Sequence, residues 1–175
     1  GTGAFHENAP YLKKLPIPGP VFVATAAATA TIQMGISLVI LVAFSLAMRL
    51  PPSWTWLLLP VICVLWQAMG FGLGLALGTV NVFFRDVAQA LVVMLQIWMW
   101  SVPVVYTKDI LPSWYQHCLK WNPPYVYLHS VRAVFMYGQV PPAWMWVAMV
   151  AWVAVTVTVG FRVYGGLKGE LRDVL

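Results

Sequence analysis

The chain has 175 residues, of which 61% are hydrophobic and 9% charged, with a net charge of +5. A soluble domain carries about 25% charged residues, and a chain this short cannot hide so much apolar surface in one water-facing core, so its solvent is partly lipid. The basic balance suits negatively charged headgroups; no basic run interleaved with aromatics suggests a nucleic-acid groove, and Cys63 in an apolar run and Cys118 in a polar one give no disulfide framework.

Residues 1–20 form a polar lead in which Lys13 and Lys14 precede Pro16, Pro18 and Pro20. Alternating prolines forbid helix and favour an extended strap; the lysines fit either the headgroup layer or a docking surface. Residues 21–48 are uncharged and exceed the roughly 20 residues that cross a bilayer core, which predicts a first span that tilts or protrudes. Thr25, Thr29, Gln33 and Ser37 recur every fourth residue as one polar ridge. Such a ridge serves hydrogen bonding between helices or lines a water-filled path.

After a turn with Pro51 and Pro52, residues 54–79 predict a second span. Gly70, Gly74 and Gly78 fall nearly one helical turn apart, so they are expected to form a groove on one face where another backbone packs closely. The apolar run then stops at Asn81-Val82-Phe83-Phe84-Arg85-Asp86, a short polar corner with aromatic shoulders. Asp86 is placed to cap the next helix, because its carboxylate can accept free backbone N–H groups.

Residues 87–106 predict a third span. Gln89, Gln96 and Trp100 lie at offsets that share a helical face, whereas Trp98 points roughly opposite to Trp100. Pro103 kinks or ends this helix. Residues 107–142 differ in kind: they hold Lys108, Asp109, His117, Lys120 and Arg132, and their apolar runs are too short to span. Two short interfacial or re-entrant helices are predicted, dipping into the outer half of the membrane and broken at Asn122-Pro123-Pro124; an ordinary loop lying on the bilayer is the alternative. In the second of them Leu128, Val131 and Phe135 fall on one face, and His129 and Arg132 lie together on another. Residues 143–164 predict a fourth span and 165–175 a short charged tail. The expected fold class is therefore an all-α membrane protein with four transmembrane helices and short helices between the last two.

Four spans put both ends on one side. That side collects Lys13, Lys14, Arg85, Arg162, Lys168 and Arg172, and the other collects Arg49, Lys108, Lys120 and Arg132. The excess favours cytoplasmic ends. The opposite side also gathers Trp54, Trp56, Trp114, Trp121, Trp144 and Trp146, the residue type that anchors at headgroup level.

The chemistry is sparse. No charged residue sits inside an expected span, whereas ion-coupled carriers usually keep one mid-membrane. No Gly-x-x-x-x-Gly-Lys-Ser/Thr loop is present to cradle ATP phosphates. His117 and Cys118 lack spaced partners for a metal, Ser101 and Ser113 lack a motif, and His129 reads as interfacial rather than catalytic. The chain reads as a channel or scaffold driven by something else; a membrane-embedded transferase would need clustered acids or histidines, and the acids here are scattered.

Against that background several motifs resemble the permease subunit of ABC-2 type exporters, especially those moving O-antigen, capsule or teichoic acid. They are Lys13-Lys14-Leu15-Pro16-Ile17-Pro18, Asn81-Val82-Phe83-Phe84-Arg85-Asp86-Val87, Ser101-Val102-Pro103-Val104-Val105-Tyr106, Trp121-Asn122-Pro123 and the tail Glu170-Leu171-Arg172-Asp173-Val174-Leu175. The resemblance covers the last two-thirds of such a six-span permease. It implies an amphipathic helix and two spans upstream of Gly1, so the chain is expected to be a fragment lacking its amino-terminal part.

The resemblance further implies a homodimer of permeases in the bacterial inner membrane and a separate ABC ATP-binding subunit that carries ATP and Mg. The permease itself would hold no cofactor and no catalytic site. A lipid-linked glycan would pass between the halves, with a drug or glycan-free lipid as the alternative cargo. Lys13, Lys14, Phe83, Phe84, Arg85 and Asp86 would lie near the ATPase. Gln89, Gln96 and Trp100 are candidates for the pore lining, with Tyr106 extending the path outward, because an aromatic with a polar tip suits both the flat C–H faces and the hydroxyls of sugars. Packing of Trp100 between helices is the competing reading.

Overall fold

The computed structural model describes residues 20–49, 52–84, 86–103 and 112–174. Among them the regular structure is helical: α1 (Pro20–Ala47), a 3-10 turn (Trp54–Leu58), α2 (Leu59–Phe83), α3 (Val87–Ser101), α4 (Ser113–Leu119), α5 (Pro123–Phe135) and α6 (Ala143–Val174). Three stretches are long and apolar enough to cross a membrane, Val23–Ala47, Trp54–Phe83 and Ala143–Gly169. In oil every backbone polar group must be met within the chain, and a continuous helix meets those of its interior.

The element boundaries follow from local chemistry. Pro20 opens α1, where its missing N–H costs nothing. Ser53 precedes the 3-10 turn and its hydroxyl accepts from the Thr55 N–H at 3.4 Å. The second long helix runs on to Phe83 instead of ending at 79, so the polar Asn81 lies in its last turn. The expected third span is shorter than drawn: α3 holds 15 residues and ends at Ser101, two residues before Pro103, where the ring clash and the lost N–H stop a helix. Residues 104–106 lie outside the described residues. The helix α6 runs on through the charged residues of the expected tail to Val174. Charge marks where a helix leaves apolar solvent and does not end the helix.

The polar segment between α3 and α6 holds two short helices, as its prolines suggested. Pro123 and Pro124 occupy the first positions of α5 behind Asn122. Its buried face differs from the apolar face of Leu128, Val131 and Phe135. Pro123, Val126, Tyr127, Ser130, Ala133 and Val134 are buried, whereas Leu128, Val131 and Phe135 are half-buried. The sequence favours the bulkier residues, but Tyr127 and the small residues Ser130 and Ala133 allow closer approach on the other face. Beyond the helix, Gly138 takes a φ of 60°, a left-handed conformation that other residues adopt only with strain.

The chain divides into two compact units: the described parts of Gly1–Ile32, Gln67–Met94 and Val153–Leu175 form one, and those of Gln33–Trp66 and Leu95–Trp152 the other. In the first, Val23, Leu75 and Val82 are buried together, with Phe71, Phe83 and Tyr164 packed against them. Here α2 and α6 nearly touch backbone to backbone. A Cβ built on Gly72 would stand 2.5 Å from the Thr156 carbonyl carbon, and one on Gly160 would stand 2.5 Å from the Gly72 oxygen. The close approach is therefore on Gly72 and Gly160. Of the expected groove, Gly70 has nothing within 4 Å of its would-be Cβ, while Gly74 is half-buried and Gly78 buried. Phe71 and Phe161 flank the crossing, their ring centroids 6.2 Å apart.

In the second unit Tyr127 is fully buried and its hydroxyl donates to the Met149 carbonyl at 3.1 Å. Trp66 lies against its ring with centroids 5.2 Å apart. Burial pushes the Tyr127 phenol up to about 12, so it stays protonated and donating. Thr55, also fully buried, donates to the Val134 carbonyl at 2.8 Å, and Trp56 stacks on Phe135. These contacts fix α5 onto the start of the second long helix.

Candidate functional site

The corner between α2 and α3 is set by Asn81. Its side-chain oxygen accepts from the Ala88 N–H at 3.0 Å, so it satisfies an orphan donor in the first turn of α3 from across the corner. This is the role expected of Asp86, which is exposed and whose backbone carbonyl accepts from Ala90. Asn81 wins because it is 3% exposed and held by the end of α2, so its amide is already ordered before it bonds. Asn81→Ala is expected to cost about 1 kcal/mol, a fall of about 2–4 °C in melting temperature for a chain of this size, while Asp86→Ala leaves the melt unchanged. Thermal unfolding in detergent reads both.

Around this corner Phe83 packs on the core of Val23, Leu75 and Val82, whereas Phe84 is 67% exposed. Lys13, Lys14 and Arg85 lie outside the described residues, as does Tyr106.

Gln89, Gln96 and Trp100 are all exposed, and their spacing keeps them on one stripe of α3. Exposure does not single the stripe out, because α3 has no buried residue at all. Trp98, on the opposite side from Trp100, is the more constrained: half-buried, it donates from Nε1 to Asn122 Oδ1 at 3.0 Å. The Asn122 amide is thereby used for the indole rather than for capping α5.

Trp98 also lines an apolar cleft of about 310 Å³, together with Leu95, Met99 and Val102 of α3 and Pro124 and Leu128 of α5. Trp66 of α2 completes the wall. Arg132 Nη1 donates to the carbonyl of Pro103, the residue after Val102, at 2.9 Å. One turn before Arg132, His129 stacks on Tyr125 with centroids 5.5 Å apart. Burial raises the Tyr125 phenol, and the Arg132 charge lowers it in part. Nothing in the sequence placed these walls together; the only signal was the ridge of Pro124, Leu128 and Arg132 at intervals of four.

Three long apolar helices, a short apolar one, and a basic proline-broken segment describe an all-α membrane protein. The family model for the ABC-2 type transporter matches residues 11–136, and the chain belongs to that family. Two relatives are each named O-antigen export system permease protein RfbA, from Klebsiella pneumoniae. One is 25% identical over 128 residues, 73% of this chain and 49% of the relative; the other is 25% identical over 123 residues, 70% of this chain and 47% of the relative. The chain thus spans about half the length of the curated relatives it matches.

Proposed function

We propose that this chain is the membrane body of a permease subunit that exports a lipid-linked polysaccharide across the bacterial inner membrane, with both ends of the chain in the cytoplasm. The family match over residues 11–136, joined to relatives named for O-antigen export, carries the reading. Two permeases pair around a conduit, and a separate ABC ATP-binding subunit carries ATP and Mg. The absence of a phosphate-binding Gly-x-x-x-x-Gly-Lys loop from the sequence supports placing ATP elsewhere. Lys13, Lys14 and the corner from Phe83 to Asp86 face that subunit; an exposed Phe84 beside an exposed Asp86 suits a protein contact better than lipid.

Deleting the native gene should leave polymer on the cytoplasmic side, and restoring the full-length permease with its ATPase should return it to the cell surface. Surface polymer unchanged by the deletion overturns the proposal. Gln89, Gln96 and Trp100 line the conduit in this reading, with Tyr106 beyond them. Trp100→Ala in the assembled transporter is expected to lower export roughly two- to tenfold, the worth of one aromatic stacking contact, with protein level unchanged. Normal export removes Trp100 from the lining.

A further inference from the structure

We infer that the C-terminal end of α3 is clasped to the α4–α5 segment and that the two move as one piece. The face of α3 that carries Gln96 and Trp100 then turns only when α4 and α5 turn with it. The inference rests on bonds within the second unit and stands whether or not that face lines a conduit.

Packing does not set the rotation of α3. None of its residues is buried, and a helix whose side chains are not locked into a partner's grooves has no steric reason to hold one face in one direction. Directional bonds supply what packing lacks. Trp98 Nε1 donates to Asn122 Oδ1, at the junction of α4 and α5, at 3.0 Å. The Tyr115 hydroxyl of α4 donates to the Ser101 carbonyl at 2.7 Å. Arg132 Nη1 of α5 donates to the Pro103 carbonyl at 2.9 Å. The indole bond sets the direction of the face, because a side chain opposite Trp100 makes it. The Ser101 carbonyl closes the helix and points along its axis, so its bond sets the depth.

The clasp resists opening. Carbonyls in the last turn of a helix have no partner within it. Here the Trp98 carbonyl accepts from the Ser101 hydroxyl at 2.7 Å, and the Ser101 carbonyl accepts from Tyr115. Val102 and Leu119 are each 2% exposed and Pro103 is buried, so the chain beside the bonded groups is shielded. In water a broken bond is replaced by one to solvent; in apolar surroundings donor and acceptor are both stranded. A motion that keeps these bonds is therefore favoured over one that parts α3 from α4 and α5. The segment is itself firm, since Thr55 and Tyr127 tie α5 to its neighbours in the same unit.

The test uses the full-length permease in lipid vesicles, with spin labels on the exposed Cys118 of α4 and on Ile97→Cys of α3, a position 66% exposed, and with the other cysteines replaced by serine. Electron paramagnetic resonance reads the distance between the labels. The labelled parent should give a single narrow peak. Trp98→Phe and Asn122→Leu should each replace that peak with a broad distribution, and the two together should be no broader than either, because they remove one and the same bond. Asn122→Asp keeps the accepting oxygen and should keep the peak. Tyr115→Phe should also broaden it, and should add to Trp98→Phe. Leu128→Ala thins the contact between α3 and α5 without removing a bond and should leave the peak in place. A broad distribution in the parent overturns the inference, as does a peak that survives in the Trp98→Phe, Tyr115→Phe double variant. Broadening by Leu128→Ala equal to that by Trp98→Phe would assign the hold to packing, which also overturns it.

Discussion

Gly72→Ala is expected to lower the melting temperature of the protein in detergent sharply, by about 1–3 kcal/mol of stability or more, and Gly72→Leu to prevent accumulation of folded protein. The added Cβ would meet the Thr156 carbonyl carbon and the Val157 nitrogen at 2.5 Å and the Thr156 oxygen at 2.7 Å. These are backbone atoms of a helix and cannot swing aside as a side-chain tip would. The two helices must separate, which loosens the contacts around Leu75 and the Phe71–Phe161 pair. Gly160→Ala should do the same, since its Cβ would stand 2.5 Å from the Gly72 oxygen, and the double variant should cost less than the sum because one separation relieves both clashes. Gly70→Ala is the control: with nothing within 4 Å, it should be neutral or gain up to about 1 kcal/mol from helix propensity. A Gly72→Ala protein that melts with the parent would show that α2 and α6 do not cross there.

Tyr127→Ala is expected to cost about 3–5 kcal/mol, the range for emptying a buried aromatic site, and Tyr127→Phe about 1 kcal/mol for the lost hydroxyl donor. The ring is fully buried against Trp66, and its hydroxyl reaches the Met149 carbonyl, so one side chain ties α5 to both α2 and α6 within the second unit. Proteolysis offers a second readout: removing the ring should expose the segment from α4 to α5 to cleavage while the first unit stays intact. Unchanged proteolysis and melting in Tyr127→Ala would remove Tyr127 from the core.

The helices themselves were legible because their signal is local. Uncharged runs longer than the bilayer is thick, prolines at Pro103 and Pro123, and the break near Asn122 each act within a few residues, and the structure carries all of them. What was not legible is which faces meet. Gly70, Gly74 and Gly78 have the better spacing, yet the crossing falls on Gly72, because its site is chosen by a partner glycine, Gly160, some ninety residues away. Asp86 has the better charge and position for a cap, yet Asn81 caps from across the corner, since a buried amide held by α2 is already in place. On α5 the pattern favoured Leu128, Val131 and Phe135, while burial went to the face of Tyr127 and Ser130. The stripe of Gln89, Gln96 and Trp100, proposed above to line a conduit, carries no burial signal of its own, since no residue of α3 is buried.

One feature of α1 bears on how such a body moves. The hydroxyls of Thr25, Thr29, Thr31, Ser37 and Ser45 each bond a carbonyl four residues back on the same helix, at 2.7–3.1 Å. Three of the four members of the polar ridge, Thr25, Thr29 and Ser37, are thus satisfied from within. A rod with its polar tips folded back onto itself turns about its axis or slips lengthwise in oil without stranding any of these donors. At these five positions it presents a bearing surface, where no hydroxyl bond must first be broken for the helix to turn.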